Sequence, residues 1–330
     1  MLRYFVNRIL SMIPLLVVIT AFTFVVGQYG SGDLAAYLAG TRGDPSKGFD
    51  TELYKQFRQE LGMDEPIYVR YAKWLWNAVH GDFGKSYVMM GDPPISYLLS
   101  KSVPQSLQLC LAALVLVTVI GVPVGVLAAV FNNGLIDRVL VSSSSVLSSI
   151  PTFVLAPVAM IVIVVKLHLL PSVGVGWHGL FSRETILPAF CLAAVGLLNV
   201  VRTTRASVLE VLSQEYVRAA RARGLSEWAV VSNHVIRNAL TPVITVLGMT
   251  APLLLGATVF IEQIFNIQGF GLMMSNGLQR GDIQTVTASA LVSTAIVMTT
   301  VSVRHSSLSP PRRSSASPSQ HKSASHSRRL

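Results

Sequence analysis

The chain has 330 residues, of which 51% are hydrophobic and 13% charged, roughly half the ~25% charged share of an ordinary soluble domain. Its formal charge of +10 suggests nucleic acid only until it is located: Arg304, Arg312, Arg313, Lys322, Arg328 and Arg329 fall in the last 27 positions with no carboxylate among them. Both cysteines, Cys110 and Cys191, sit inside apolar runs, which argues against a disulfide framework or a zinc site and makes them small core hydrophobes.

Arg3 and Arg8 precede an apolar run from Ile9 to Gly27 that is long enough to cross a bilayer. A signal peptide shares the basic start, but this run exceeds the usual ~7–15-residue signal core and no small-x-small site closes it. It is read as a retained first span with its amino end in the cytoplasm. Residues 28–103 form the one long hydrophilic segment, whose eight Lys and Arg are balanced by nine Asp and Glu. It lacks the basic bias of a cytoplasmic loop and is placed outside. Within it Leu53, Phe57 and Leu61 make a helical stripe stopped by Gly62. Asp64 is expected to N-cap a second helix with Pro66 just inside, and Ile67, Tyr71, Leu75 and Ala78 form its face up to Gly81. Tyr68, Tyr71, Trp74 and Trp76 suit a helix at the membrane interface. Gly81 to Ser86, reading GDFGKS, ends like a phosphate loop, but the motif's first glycine would stand at Val79.

Further apolar spans follow at about 107–131, broken by Pro123, and 139–165, which holds Ser142 to Ser145 and Ile150-Pro151-Thr152. Serine and proline are tolerated in mid-membrane where neighbouring helices satisfy the freed backbone groups, so a packed bundle or a lined pathway is expected. An outer stretch with Pro171, Gly174, Gly176 and Trp177 leads to a span at 186–206, whose helix should continue past Arg202 and Arg205 to Glu210. A loop over 207–238 precedes spans at 239–261 and 286–303, which flank an outer loop from Glu262 to Ile283. Six crossings make an all-α polytopic membrane protein with both termini in the cytoplasm. The spans hold essentially no ionisable group away from their ends, which disfavours an ion-coupled secondary carrier. His80, His168 and His178 lack ligand spacing, and no nucleophile motif or paired carboxylate suggests an enzyme.

The loop between the fourth and fifth spans differs from the rest. From Arg202 to Arg237 it carries six basic and three acidic residues, which places it inside. Val217, Ala220 and Gly224 recur at helical spacing and share one nearly smooth face, while Arg218, Arg221 and Arg223 crowd the remainder. Such a face suits the close approach of a partner; a solvated helix whose arginines merely set topology is the plainer alternative.

Glu215-Tyr216-Val217-Arg218-Ala219-Ala220-Arg221-Ala222-Arg223-Gly224-Leu225 resembles the "EAA" loop of the inner-membrane permease subunits of ABC importers, and more narrowly of the oligopeptide, dipeptide and nickel permeases. Ala219, Ala220 and Gly224 stand at that motif's small-residue positions, with Arg218 where the generic loop carries Glu. Other matching stretches occur in order: Leu2 to Pro14, Leu61 to Pro66, Gly81 to Ser86, Asp137-Arg138, Ser149 to Phe153, Arg237 to Pro242, Glu262 to Phe265 and Gly269 to Gly271. The resemblance implies the type I importer fold of six transmembrane helices, with a long external segment between the first two. It implies half of a translocation pathway in a bacterial or archaeal inner membrane, paired with a second homologous permease. Two cytoplasmic ATP-binding subunits would hydrolyse ATP, and an external binding protein would deliver the peptide; nickel or glutathione are alternative solutes. This chain would bind no cofactor, metal or nucleic acid. Glu215, Arg218, Ala219, Ala220, Arg221 and Gly224 would form the ATPase-coupling loop. The family pattern continues the sixth helix to an acidic ending, whereas residues 304–330 are basic and rich in serine and proline, a composition expected to be disordered. A shifted reading frame is the favoured reading of that tail, with an anionic-lipid tether or a phosphorylation-controlled tail as alternatives.

Overall fold

Among the described residues, helix is the only extended regular structure, which is one of the two ways a lipid-embedded backbone can satisfy its own polar groups; a single isolated bridge pairs Lys85 with Pro94. The computed structural model describes residues 2–30, 33–42, 49–87, 89, 91–171, 179 and 182–308. Gly174, Gly176, Trp177 and His178, and the tail from residue 309, lie outside them.

The first helix, α1 (Leu2–Gly30), is followed by three shorter ones, α2 (Leu34–Arg42), α3 (Thr51–Glu60) and α4 (Ile67–Val79). Asp50 caps α3 by accepting from the backbone N–H groups of Glu52 and Leu53. Gly62 follows at φ 61°, a left-handed turn that glycine adopts without penalty. The Leu53–Phe57 stripe packs on Leu34, Ala35 and Leu38 of α2, a helix that the sequence pattern does not announce. Asp64 does not cap α4. That position belongs to Pro66, and Asp64 instead takes the Arg58 guanidinium at 2.6 and 3.0 Å. On α4, Tyr71 donates to the Val17 carbonyl at 3.0 Å and meets the Thr20 hydroxyl at 2.8 Å. Its ring and that of Trp74 pack against Phe24. The amphipathic helix therefore leans on α1, with Tyr68 and Trp76 turned outward.

The core is built by α5 (Ile95–Val130), α8 (Arg183–Leu212) and α11 (Arg237–Phe265). Leu109, Ala113 and Val117 of α5 meet Leu192 and Val200 of α8 and Leu254 and Ile261 of α11. Small residues set the separation. A Cβ on Gly125 would lie 2.8 Å from the Val201 carbonyl oxygen, and one on Gly196 would run into Thr250, so glycine at both positions permits close packing without the hydrophobic drive that water supplies. Pro123 does not break α5, which runs through it and starts well before residue 107. One lost N–H is tolerated in a helix whose neighbours hold it on several sides.

Where the sequence suggests one span over 139–165, the chain divides into α6 (Leu135–Ser149) and α7 (Thr152–Ala159), the latter continued by a π-helical stretch over Met160–Lys166. The two parts meet at 99°. Pro151 disfavours helical backbone at the residue before it, and Ile150 is extended at φ −80°, ψ 120°.

After α8 come α9 (Glu215–Ala222), α10 (Glu227–Val230) and a π-helical turn, Val231–Ile236, that runs directly into α11. The expected outer loop from residue 262 is also partly helical, since α12 (Phe270–Gln279) occupies its middle before α13 (Ile283–Leu308). Thus α13 carries the backbone helix to residue 308, beyond the point where disorder is expected. Among the described residues, three helical stretches are long and apolar enough to cross a membrane: α5, α8 and the run Glu227–Phe265. The number reaches five if the bent pairs α1–α2 and α6–α7 each count once, and Ile283–Thr299 is a shorter apolar helix.

Candidate functional site

Short helices on loops need anchoring, because an isolated turn of helix is not stable by itself. In α9 the anchors are Val217 and Ala220, both buried. They form one cluster with Ala129 of α5, Val208 of α8, Val230 of α10, Val235 in the π-turn and Ala239 of α11. Asn238 adds a polar tie, donating to the Tyr216 hydroxyl and to the His234 carbonyl, both at 2.9 Å. Glu215 in the first turn and Arg221 in the last complement the helix dipole. Arg221 also pairs with Glu227 at 2.9 Å, which joins α9 to α10 across the turn at Gly224.

These contacts correct the expected smooth face. Val217 and Ala220 are turned into the chain's own core, so they seat α9 on its bundle and are not open to a partner. A Cβ on Gly224 would meet no atom within 4 Å, but the residue's φ is 80°. Its requirement is a left-handed backbone that ends α9, not close approach. Glu215, Arg218, Ala219, Arg221 and Gly224 are exposed together with Arg223. Three side chains overlooked in the sequence join them: Trp228, which is 78% exposed, Tyr216 and Leu225. A tryptophan within a basic polar stretch was the available signal, since an aromatic ring there has no core to serve.

A half-buried ion pair braces the same end of the bundle. Arg205 of α8 holds Asp137 of α6 through two bonds of 2.7 Å and reaches Asn132 at 2.9 Å. Asp137, only 5% exposed, also accepts the Asn133 N–H at 2.9 Å. The fork geometry makes this a pair that lysine could not reproduce.

At the opposite end of α11 lies a carboxylate that reads in the sequence as a span boundary. Glu262 is fully buried. It accepts the Ser106 hydroxyl of α5 at 2.5 Å and the Leu272 N–H of α12 at 2.9 Å. It thereby takes up a free N–H in the first turn of α12. Ser106 in turn accepts the Phe270 N–H at 2.7 Å. The GDFGKS stretch has an equally structural use. Ser86 donates to Asp282 at 2.5 Å, and Asp282 caps α13 through the Thr285 N–H and hydroxyl. The serine of the near-miss phosphate loop is thus bonded to the chain itself. Among the described residues no three His, Cys, Asp or Glu side chains stand close enough to hold a metal ion.

Residues 121–308 match the family described as binding-protein-dependent transport system inner membrane component, and residues 1–109 match the N-terminal membrane component of such systems. The oligopeptide transport system permease protein AppB of Bacillus subtilis (strain 168) is 36% identical over 305 residues, covering 90% of this chain and 94% of AppB. The glutathione transport system permease protein GsiC of Escherichia coli (strain K12) is 32% identical over 317 residues, 95% of this chain and 99% of GsiC. Among solved structures, an inward-facing form of the MetNI methionine ABC transporter aligns with a TM-score of 0.50 at 18% identity, over 63% of this chain and 94% of that one. That likeness concerns the fold alone.

Proposed function

The chain belongs to the family of inner membrane components of binding-protein-dependent transport systems, and on that premise we propose that it is one of two homologous permeases in an ATP-driven importer of peptides. The relatives named for oligopeptide and glutathione transport support a peptide-like solute, with glutathione the specific alternative and nickel a more distant one. Two separate ATPase subunits hydrolyse ATP, and an external binding protein hands over the solute. Six crossings with both termini in the cytoplasm remain part of this reading.

The observation that carries it is the seating of α9. Val217 and Ala220 share one buried cluster with residues of α5, α8 and α11, while the outer surface of α9 offers cations and the adjoining α10 an exposed tryptophan ring. A push on that surface therefore reaches three core helices together. In this role Trp228 and Leu225 fill an apolar recess on the ATPase, and Ala219 lets the helix lie close. Arg218, Arg221 and Glu215 steer the approach and fix its register. Ala220 and Val217 transmit the displacement inward, and Gly224 shapes the turn. Alternating access follows as a shift between two arrangements of the bundle, biased by closure of the ATPases.

The test uses the full transporter reconstituted in vesicles with its binding protein. Trp228→Ala should lower peptide-stimulated ATP hydrolysis and uptake in parallel, with a loss of ATPase affinity of about 2 kcal/mol, as for a central aromatic anchor. Ala219→Trp should do the same by blocking close contact. Normal uptake in both variants would remove α9 from the coupling mechanism.

A further inference from the structure

A cavity of about 410 Å³ lies near the α12 end of the bundle, bounded by α1, α4 and the start of α13. It holds three polar side-chain groups that have no partner among the described residues. Arg70 of α4 is partly buried, and its side chain makes no hydrogen bond or ion pair with the described residues. Burial pulls its guanidinium below the ordinary value, offset only in part by Glu65. One helical turn on, the indole N–H of Trp74 is buried and has no acceptor, and the side-chain carbonyl of Gln284 on α13 is buried with no donor. Arg70 and Trp74 share a face of α4, so a cation and an N–H donor line the cavity together. Glu60 and Asp82 border it as well. Lys73, the other lining cation, is already held by Glu65 at 2.5 Å.

Such a lining selects a compact zwitterion: an anionic group for Arg70 and Trp74, and a hydrogen-bearing cation for Gln284 and the carboxylates. The surroundings indicate its source. On α1, whose Phe24 and Gln28 line the cavity, Val18 and Phe22 on the outer side of the helix are 64% and 69% exposed, with Val25 and Val26 also turned outward. Tyr68 and Trp76 of α4 are exposed as well, as expected for rings at headgroup level. We propose that the cavity binds the headgroup of a phosphatidylethanolamine-type lipid, with its phosphate on Arg70 and Trp74, its ammonium toward Gln284, and its acyl chains along the outer face of α1. The bound lipid would join α4 to α1 and α13 at the outer interface. This depends on membrane residence and not on which solute is carried.

The test measures lipid retained by the purified transporter, complete with its partner subunits, by native mass spectrometry after detergent washing. Phosphatidylethanolamine should remain on the wild type. Arg70→Ala should reduce retention about tenfold, the loss of one charge-assisted contact, and Trp74→Phe and Gln284→Leu should each lower it further than a distant control such as Tyr37→Phe. Phosphatidylcholine, whose ammonium carries no N–H, should bind less well than phosphatidylethanolamine. Folding is checked by the thiol protection of buried Cys110 and Cys191; if Arg70→Ala loses that protection, Trp74→Phe and Gln284→Leu decide. Equal retention in the folded variants overturns the proposal. So does displacement of the lipid by millimolar glycylglycine or inorganic phosphate, which would make this a site for soluble anions. Cross-linking of Phe22 to the second permease in the lipid-bearing complex would also overturn it, because the α1 face would then be a protein interface.

Discussion

Removing the Glu262 carboxylate should loosen the α5–α11–α12 junction measurably. In Glu262→Ala the Ser106 hydroxyl and the Leu272 N–H lose their acceptor in a fully buried place. An unsatisfied buried group costs ~1–3 kcal/mol, so two predict a loss of about 2–6 kcal/mol. Polar contacts between membrane helices average only ~0.6 kcal/mol, because the unfolded helices find other partners. The larger figure applies here if the Leu272 N–H, a first-turn group of α12, finds none. Gly269 provides an independent control. Its backbone is extended at φ −90°, ψ −179°, which any residue adopts, yet a Cβ there would overlap the Glu262 carboxyl group. Gly269→Ala should therefore destabilise the wild type by about 1–3 kcal/mol through overpacking and cost clearly less in the Glu262→Ala background. Cys110 and Cys191 are free and buried, so the rate at which a thiol-reactive dye labels them on heating reports opening of the core. At ~2–4 °C per kcal/mol, Glu262→Ala should lower the midpoint by about 4–24 °C. A fall of under about 2 °C, or additive effects of the two substitutions, would refute the reasoning.

Breaking the Arg205–Asp137 pair from one side should be worse than deleting it. Asp137→Ala alone should cost about 1–3 kcal/mol, the loss of charge-assisted bonds around an Arg205 side chain that is 28% exposed, and the double change Asp137→Ala, Arg205→Met should recover part of that in the same thiol assay. Gly224→Ala meets no atom within 4 Å but must hold φ near 80°. It should cost ~1–2 kcal/mol of backbone strain, weaken ATPase binding and leave thiol protection of the core unchanged. Early exposure of both cysteines in that variant would show that the turn supports the bundle as a whole.

Much of the helical layout is legible in local chemistry. The Leu53–Phe57 stripe and its stop at Gly62 need only neighbours in sequence, as does the basic stretch containing α9. Several features depend on distant contacts and are not. Leu34 to Arg42 has alanines that favour helix, but at nine residues it is too short to hold one until α3 covers it. The first turns of α5 carry serine and lysine, yet they are helical where Ile95 and Leu99 pack on Met273 and Ala288. Glu262 reads as the polar end of a span because the groups that donate to it stand 156 and 10 positions away. The inward turn of Val217 and Ala220 is hidden for a related reason: spacing shows that residues share a face, but only the arrangement of α5, α8 and α11 shows which way that face points.

The join between α10 and α11 has a mechanical consequence. With no break in the backbone from Glu227 to Phe265, 39 residues form one rod, about 58 Å long at ~1.5 Å per residue. Its near end stands beside α9, and its far end carries Glu262. A tilt of about 5° about one end would carry the other through roughly 5 Å, close to one ~5.4 Å helical pitch. The π-turn at Val231–Ile236 lies near the α9 end of this rod, where a change in winding would rotate everything beyond it. A small tilt at the α9 end of the rod is then geared up to a displacement of several ångströms beside Glu262.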